Sequence, residues 1–256
     1  MHASWCAAVL SLCLSALHPA TAAETVRFGM DLNYPPFSWQ DANGRPQGFD
    51  ADIAYGLCAE MKVECRIVPQ DWDGLSKALY LNKFDAILSS MQITDDRRKT
   101  LDFTRKYYHV SSRIVARLGT DVGRNAFSGK TIGVLRGSTQ AQFAHDFWGS
   151  HGARIMNYDK VGPAFSDLTA HKLDAVFVDN VVGSSSFLRT PAAHGYGFVG
   201  PAYDDPHYFG QGAGIAVRKG DNRLRKRLDA ALQQMLRDGS YQKIQKKYFD
   251  FDIYGK

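Results

Sequence analysis

Short apolar segments alternate with segments of helical periodicity along the chain, and this alternation predicts an α/β fold. Val26–Met30 alternates apolar and polar residues as a half-buried strand does, and Glu64–Pro69 and Ala86–Leu88 are further short apolar runs. Apolar residues recur at helical spacing after Asp50, which we expect to cap a helix, and again after Asp71. The resulting order β-α-β-α-β is typical of a parallel sheet covered by helices on both faces.

The same order repeats in the second half of the chain. The pattern predicts strands at residues 130–135, 153–157 and 173–178, and helices at 141–148 and 163–171. A repeat of this length is long enough to form a sheet and a core of its own. The sequence therefore predicts two α/β lobes, each with its own sheet.

Two extended connections are predicted between these lobes, which would form a hinge. Residues 110–117 lead out of the first lobe, and residues 197–203 and 208–217 lead back. The helical patterns at 223–237 and 241–249 have no strand between them, so we expect them to pack on the first lobe. The expected domain boundaries are residues 24–110 with 209–256 for lobe I, and residues 111–208 for lobe II.

The first 23 residues have the composition of a secretory signal. They contain no Lys, Arg, Asp or Glu, and the apolar run Cys6–Leu17 is too short to span a bilayer. The small residues that follow predict cleavage near Ala22 or Ala23 and export to the periplasm. Because no later segment approaches 18 consecutive apolar residues, no membrane anchor is predicted.

Composition and charge narrow the possible partners. The 256 residues are 45% hydrophobic and 22% charged, which excludes disordered and fibrous classes. The net charge of +5 is spread along the chain, and the basic runs at 223–227 and 243–247 fall on helical patterns, so no nucleic-acid partner is predicted. Cleavage of the signal would leave Cys58 and Cys65, and an oxidising compartment favours one disulfide between them.

The sequence contains no recognised catalytic or cofactor motif. It has neither G-x-S-x-G nor H-E-x-x-H. Gly133–Gln140 joins a strand to a helix but lacks the spacing of G-x-G-x-x-G, and Gly129–Thr131 precedes a strand where a P-loop follows one. Neither a cofactor nor a metal ion is therefore predicted.

A carboxylate-binding site is predicted where the third strand ends. Ser89 and Ser90 follow that strand, Thr94 starts a helix, and Arg97 lies on its first turn. Hydroxyl and N–H groups donate hydrogen bonds to a carboxylate, and a guanidinium meets one through two parallel bonds. The alternative interpretation is that the serines only end the strand and that Arg97 pairs with a neighbouring aspartate at the surface.

Further candidate side chains follow other predicted strands, at the edge where open α/β sheets bind ligands. Ser138 and Thr139 start the helix of the second lobe, where free N–H groups attract anions, although a plain N-cap would also explain them. Asp31 and Asp179 each follow a strand, and each could instead cap a helix or a turn.

The candidate groups complement one another if they share one cleft. Arg97 would then bind a carboxylate, Asp179 an ammonium group and Asp31 a distal positive charge. Tyr34 and Trp72 would stack on an alkyl or guanidinium side chain, although either aromatic could equally be a core residue. The combination describes a cationic amino acid as the ligand.

Six segments together carry a specific resemblance to a known family, over essentially the whole chain after the signal. The sequence resembles the periplasmic solute-binding proteins for polar amino acids, most closely the lysine/arginine/ornithine- and histidine-binding proteins of ABC importers. The segments are Thr25–Ser38, Gly48–Ile53, Ser89–Arg97, Gly133–Gln140, Tyr208–Gly210 and Lys247–Gly255.

The resemblance implies a type II periplasmic binding protein fold, whose two lobes close on one amino acid. Such a protein acts as a monomer and delivers its ligand to the membrane permease subunits of an ABC importer. The resemblance assigns Arg97, Ser138 and Thr139 to the ligand carboxylate, Asp179 to the α-ammonium group and Asp31 to the side chain. The other matched positions are the lining residues Ser89, Ser90, Leu135 and Gln140 and the disulfide pair Cys58 and Cys65.

Two positions depart from the pattern of these relatives. Gln92 stands where a serine hydroxyl helps to hold the carboxylate, and Trp72 stands where a phenylalanine stacks. Both residues are larger, so the pocket is expected to be reshaped. The ligand is expected to be arginine, lysine or ornithine, and histidine fits less well because its side chain carries less charge at neutral pH.

Two other functions are compatible with the same fold. Exported cyclohexadienyl dehydratases resemble these binding proteins, and either Asp31 or Asp179 could serve as the acid that such a reaction needs. The sensor lobe of a membrane receptor is disfavoured because no transmembrane helix is predicted. We expect a binding protein rather than an enzyme because Asp31 beside a stacking surface suits a basic ligand better.

Overall fold

A computed structural model describes residues 23–255. The secretory signal predicted for residues 1–23 lies outside the described part of the chain, apart from Ala23. In chain order the strands are β1 (Thr25–Met30), β2 (Asn33–Tyr34), β3 (Ser38–Gln40), β4 (Pro46–Gln47), β5 (Glu64–Pro69), β6 (Ala86–Ile87), β7 (Leu101–Tyr108), β8 (Ser112–Arg117), β9 (Thr131–Leu135), β10 (Arg154–Tyr158), β11 (Ala175–Asp179), β12 (Tyr196–Tyr203) and β13 (Ala213–Arg218).

The α-helices alternate with these strands. They are α1 (Phe49–Met61), α2 (Leu75–Tyr80), α3 (Asp95–Arg98), α4 (Thr139–Phe147), α5 (Val161–Thr169), α6 (Asn180–Gly183), α7 (Pro206–Phe209), α8 (Asn222–Asp238) and α9 (Ser240–Gln245). Short 3₁₀ turns occur at Trp72–Gly74, Gly149–His151 and Pro191–Ala193, and a π-helical turn at Ser184–Leu188. Between residues 23 and 255, no helix combines the length and apolar character that crossing a membrane requires.

Two five-stranded sheets, each flanked by helices, form the two lobes of an α/β fold. The strand order is β5-β1-β6-β13-β7 in the first sheet and β10-β9-β11-β8-β12 in the second. The predicted β-α-β-α-β order accounts for the three parallel neighbours in each sheet, β5-β1-β6 and β10-β9-β11. A third, small sheet, β2-β3-β4, lies in the segment between β1 and α1.

The sheets differ from the prediction because neither is fully parallel. The segments predicted as connections supply strands: β8 runs antiparallel between β11 and β12, and β13 runs antiparallel between β6 and β7. The side chains of Ile114, Val115 and Ala116 in β8 are all fully buried. A strand covered on both faces has no polar alternation, which is why the sequence did not distinguish it from an extended linker.

The chain crosses between the sheets twice, through residues 109–111 and through residues 204–212. The two connections contact each other, because His109 Nε2 lies 3.0 Å from Asp204 Oδ2. After the second crossing, α8 packs against α1 and β7, which places the C-terminal helices on the first sheet. The domain boundaries themselves remain a prediction.

Capping residues explain several helix boundaries. The Thr94 and Ser138 side chains accept hydrogen bonds from the N–H groups of Arg97 and Ala141, and so begin α3 and α4. The prediction that Asp50 caps α1 is wrong. Gly48 occupies the N-cap position, and Asp50 is a fully buried residue within the first turn. At the other end of α1, Cys58 forms a disulfide with Cys65 of β5.

Candidate functional site

All twelve predicted ligand-binding residues line one cavity between the two sheets. The cavity spans about 370 Å³ of space between the side chains, which includes the part of its mouth that is open to solvent. It lies beyond the carboxyl ends of β1, β6, β9 and β11, as expected for open α/β sheets. The lining residues are Asp31, Tyr34, Trp72, Ser89, Ser90, Gln92, Arg97, Leu135, Ser138, Thr139, Gln140 and Asp179.

Arg97 provides the cationic group of the cavity. Its Nη1 donates to the carbonyl oxygen of Gln92 at 3.0 Å, and its Nη2 donates to the carbonyl oxygen of Gly137 at 3.3 Å. Burial lowers the pKa of the guanidinium to about 10, against the opposing effects of Asp96 and Asp179. The side chain therefore stays charged at neutral pH, which a carboxylate-binding group requires.

Trp72 contacts this arginine. The Arg97 guanidinium carbon lies 5.3 Å from the centroid of the Trp72 ring, which is within the range of a cation–π interaction. Trp72 is positioned by the 3₁₀ turn that precedes α2. The ring that was predicted to stack on the ligand side chain thus also fixes the orientation of the guanidinium.

Asp179 provides a buried anionic group from the second sheet. Its carboxylate is 3% exposed and accepts hydrogen bonds from Tyr34 Oη at 2.7 Å and Gln140 Nε2 at 2.6 Å. Burial raises its pKa to about 6, although both hydrogen bonds favour the charged form. The side chain makes no capping hydrogen bond within the described residues, so the capping alternative does not explain it.

Asp31 lies where β1 ends and is 5% exposed. Its Oδ1 accepts hydrogen bonds from the backbone N–H and the side-chain amide of Asn33, at 3.0 and 2.8 Å. The turn alternative is therefore partly correct for this residue. Burial raises the pKa of the Asp31 carboxyl, against the opposing effect of Asn33. Since Oδ2 accepts no hydrogen bond from residues 23–255, one carboxylate oxygen is available to a ligand.

Behind Ser90 lies a buried hydrogen-bond network that the sequence did not reveal. Asp50 is fully buried and accepts from Ser90 Oγ at 3.0 Å and from Tyr107 Oη at 2.9 Å. Tyr107 Oη in turn accepts from the Ser90 N–H at 2.9 Å, which holds Ser90 at a φ of 55°. The Gly-Phe-Asp-Ala-Asp motif was the available signal for Asp50, but an acid at a helix start is most often a cap.

The start of α4 forms the second-sheet wall next to Arg97. The Ser138 hydroxyl donates to the carbonyl oxygen of Leu135 at 2.7 Å and accepts from the Ala141 N–H at 3.0 Å, so Ser138 is a true N-cap. The first N–H groups of a helix have no acceptor within the helix, which leaves those of Thr139 and Gln140 for an anion. Gln140 also donates to Ser112 Oγ at 2.9 Å.

Hydrogen bonds connect residues of the first-sheet side with residues of the second-sheet side. They join Tyr34 to Asp179, Arg97 to the Gly137 carbonyl, and Ser186 Oγ to the Pro35 carbonyl at 3.1 Å. The structure is therefore a closed arrangement, with the candidate groups of both sheets facing one cavity. Among the described residues, no three His, Cys, Asp or Glu side chains are grouped so that they could hold a metal ion.

Comparison with known proteins agrees with this arrangement. Residues 26–251 match the family of bacterial extracellular solute-binding proteins, family 3. The chain belongs to this family.

Two curated relatives are similar to this solute-binding protein over almost the whole length of both chains. The L-arginine-binding protein of Pseudomonas aeruginosa is 45% identical over 248 residues, which is 96% of each chain. The lysine/arginine/ornithine-binding periplasmic protein of Escherichia coli is 40% identical over 249 residues, also 96% of each chain. Both are named as binding proteins rather than enzymes, so the alternative of an exported dehydratase is not supported.

A solved structure matches the fold. A periplasmic binding protein of Salmonella typhimurium, described by its high arginine specificity, superimposes with a TM-score of 0.81 at 32% identity. The match covers 89% of this solute-binding protein and 100% of the other chain. The two-lobed fold predicted from the sequence is therefore confirmed.

Proposed function

We propose that the protein binds a cationic L-amino acid, namely arginine, lysine or ornithine, between its two lobes. The carrying observation is that a single cavity presents the Arg97 guanidinium from one side and the Asp179 carboxylate from the other, with Asp31 as a second acid. Arg97 and the N–H groups at the start of α4 bind the α-carboxylate, and Asp179 binds the α-ammonium group.

The charge of the cavity supports a cationic side chain. After Arg97 and Asp179 have paired with the zwitterionic end of an amino acid, Asp31 remains as a buried acid without a cationic partner in the cavity lining. A buried carboxylate is stabilised by an opposite charge, and the free Oδ2 of Asp31 offers a place for it. Tyr34 and Trp72 provide the aromatic faces along which the side chain lies.

We further propose that the protein is a periplasmic monomer that delivers its ligand to the permease of an ABC importer. The names of the relatives and the family description support export and a transport role. Closure over the ligand creates a surface that spans lobe I, at residues 24–110 and 209–256, and lobe II, at 111–208. A permease that recognises both lobes at once would accept only the loaded protein.

Calorimetric titration with each protein amino acid and with ornithine tests the ligand assignment. The protein is unfolded and refolded first, so that any amino acid retained during purification is removed. We expect arginine, lysine or ornithine to bind most tightly, and histidine to bind more weakly at neutral pH. Preference for an acidic or an aliphatic amino acid would contradict the proposal.

A further inference from the structure

Gln92 occupies a position that none of the predicted roles explains. It lines the cavity, and its side chain is 6% exposed. Its amide nitrogen, oriented as the surrounding acceptors require, lies 3.2 Å from the carbonyl oxygen of Phe209 and 3.2 Å from that of Gly212. Both carbonyls belong to residues 204–212, the second connection between the sheets. One side chain therefore contacts the ligand cavity and the connection.

The two acceptors of Gln92 are fixed to different lobes. The Phe209 ring packs in the core of the second sheet, where its centroid lies 5.4 Å from that of Phe143. Gly212 is held on the first sheet, because its carbonyl oxygen also accepts from the Ile93 N–H at 2.9 Å. The Gln92 amide thus bridges a residue that is fixed to one lobe and a residue that is fixed to the other.

Two glycines with positive φ stand at this point of the connection. Gly210 and Gly212 have φ values of 67° and 116°, and a Cβ at Gly210 would overlap the carbonyl oxygen of Ile93. Backbone rotation that separates the lobes at this point changes the distance between the Phe209 and Gly212 carbonyls. The two hydrogen bonds of Gln92 can therefore be made together only over a narrow range of lobe orientations.

The backbone of Gln92 connects this bridge to the carboxylate end of the cavity. Its carbonyl oxygen accepts the hydrogen bond from Arg97 Nη1. Gln92 also forms an isolated antiparallel β-bridge with Ala213, the first residue of β13. A ligand that fixes the position of Arg97 therefore also fixes Gln92, whose side-chain amide bonds to the second connection.

We infer that Gln92 is a positioning residue that stabilises the closed orientation of the lobes by bridging Phe209 and Gly212. This inference rests on the proposed function, since closure is taken to occur around an amino acid. It also gives the larger residue at this position a role other than direct contact with the ligand carboxylate. Its amide donates to the connection, and Arg97 and the start of α4 bind the carboxylate.

Gln92 could either bridge the second connection or contact the ligand carboxylate. A Gln92 variant distinguishes these two roles when its affinity is measured for a ligand with a carboxylate and for one without. Gln92→Met has a similar length and lacks the donor, so the buried Phe209 carbonyl loses its partner in the closed state. We expect roughly five- to hundredfold weaker binding of L-arginine, seen as faster dissociation with an unchanged association rate. L-Argininamide, which lacks the carboxylate, should lose affinity by the same factor.

Controls distinguish this effect from misfolding. Gln92→Ala, which is too short to reach either carbonyl and adds no hydroxyl that could bind the ligand carboxylate, should reproduce the losses of Gln92→Met. Gln47→Met makes the same chemical change in a partly buried glutamine outside the cavity lining, and should leave both affinities unchanged. A loss for arginine that disappears with argininamide would overturn the inference, because Gln92 would then contact the carboxylate. Unchanged binding in both Gln92 variants would also overturn it.

Failure of the proposed function would look different. In that case the wild-type protein itself would prefer an amino acid that is not cationic. The same cycle would then be measured with the preferred amino acid and its amide, and the role of Gln92 would be tested independently of the ligand assignment. If the wild-type protein binds arginine while the variants lose nothing, only the inference about Gln92 fails.

Discussion

Three buried carboxylates have different surroundings, and these surroundings give them different roles. Asp31 has one free oxygen, Asp179 faces the cavity with two donors behind it, and Asp50 is enclosed by Ser90 and Tyr107. Burial raises the pKa of all three. At the scale of single residues, Asp31 and Asp179 face the cavity, whereas Asp50 holds Ser90 in place from behind the cavity wall.

The free oxygen of Asp31 predicts how specificity changes on mutation. Asp31→Asn keeps an acceptor for Asn33 but removes the charge, so binding of arginine and lysine should weaken by about 1.5–3 kcal/mol, while neutral amino acids are little affected. Arg97→Ala should weaken every α-amino acid, because it removes the carboxylate partner. Calorimetry with arginine, lysine and glutamine measures both effects.

Asp71→Asn is the matched control for Asp31→Asn. Asp71 is exposed and lies outside the cavity lining, so this substitution should leave the ranking of ligands unchanged. Equal losses for all three ligands in the Asp31 and Arg97 variants would contradict the separate roles.

The raised pKa of Asp179 predicts a pH dependence of binding. With a pKa of about 6 in the free protein, the carboxyl group is protonated in acid and must release that proton to pair with an ammonium group. Affinity should therefore be highest above pH 6 and fall roughly tenfold between pH 7 and pH 5. Titrations in buffers of different ionisation enthalpy should detect the released proton near pH 6. A pH-independent affinity over this range would exclude the proposed pairing.

Asp50 predicts a pH dependence of stability rather than of binding. Its pKa in the folded state is about 7, above the ordinary value of 3.8. Between about pH 4 and pH 7 the folded protein retains a proton that the unfolded chain has released, so this group lowers the free energy of unfolding as pH rises. Asp50→Asn can still bond to Ser90 and Tyr107, and urea unfolding at several pH values should show a smaller decline. An equal slope in both proteins would contradict this account.

At the scale of elements, the strand ends and helix starts bring the site together. Ser89, Leu135 and Asp179 follow strands of two sheets, and Thr94 and Ser138 each cap the helix that comes next. Parallel strands end at one edge, so residues that are distant in sequence become neighbours there. The cap hydroxyls fix where each helix begins and where its free N–H groups point.

The disulfide between α1 and β5 predicts an effect on stability without an effect on binding. Cys58 and Cys65 close a short loop at the edge away from the cavity, and neither lines it. Replacing both with serine should lower the free energy of unfolding by about 2–3 kcal/mol and leave the affinity for arginine unchanged. Urea unfolding and calorimetry of the double variant test the two parts. Weaker binding would show that the loop acts on the cavity.

At the scale of the whole molecule, hydrogen bonds join the two lobes across the cavity. Tyr34 and Asp179 come from the two sides of the cavity, as do Arg97 and the Gly137 carbonyl. In the proposed mechanism, the lobes separate as two bodies that rotate about the connections at 109–111 and 204–212. A ligand that bonds to both sides binds the closed state more tightly than the open one. The ratio of these two affinities sets how far the population shifts towards the closed state.

Solution scattering should detect this shift. A saturating concentration of arginine should reduce the radius of gyration of the wild-type protein, because the lobes come together. Tyr34→Phe removes the bond to Asp179 and should weaken arginine binding by about two- to tenfold. Tyr55→Phe, an exposed tyrosine on the first-lobe helix α1, serves as the control. An unchanged radius on ligand addition would contradict closure as the binding step.

The sequence by itself determined the two α/β lobes, the fact that the chain passes between them twice, and the residues that line the cavity. It did so because apolar periodicity fixes which segments become strands or helices, and because strand ends carry the polar residues. Arg97, Asp31 and Asp179 could be identified since they follow such ends. The family resemblance added Leu135 and Gln140, whereas the disulfide pair was already expected from the two cysteines that follow the signal.

Only the tertiary structure decided how these groups are held. The antiparallel positions of β8 and β13, the buried Asp50 network and the bridge from Gln92 to the second connection are all contacts between segments far apart in the chain. A buried strand has no polar alternation, and a buried acid at a helix start looks like a cap. Partners that meet only on folding leave no local pattern, and these partners set the charge, orientation and closure of the site.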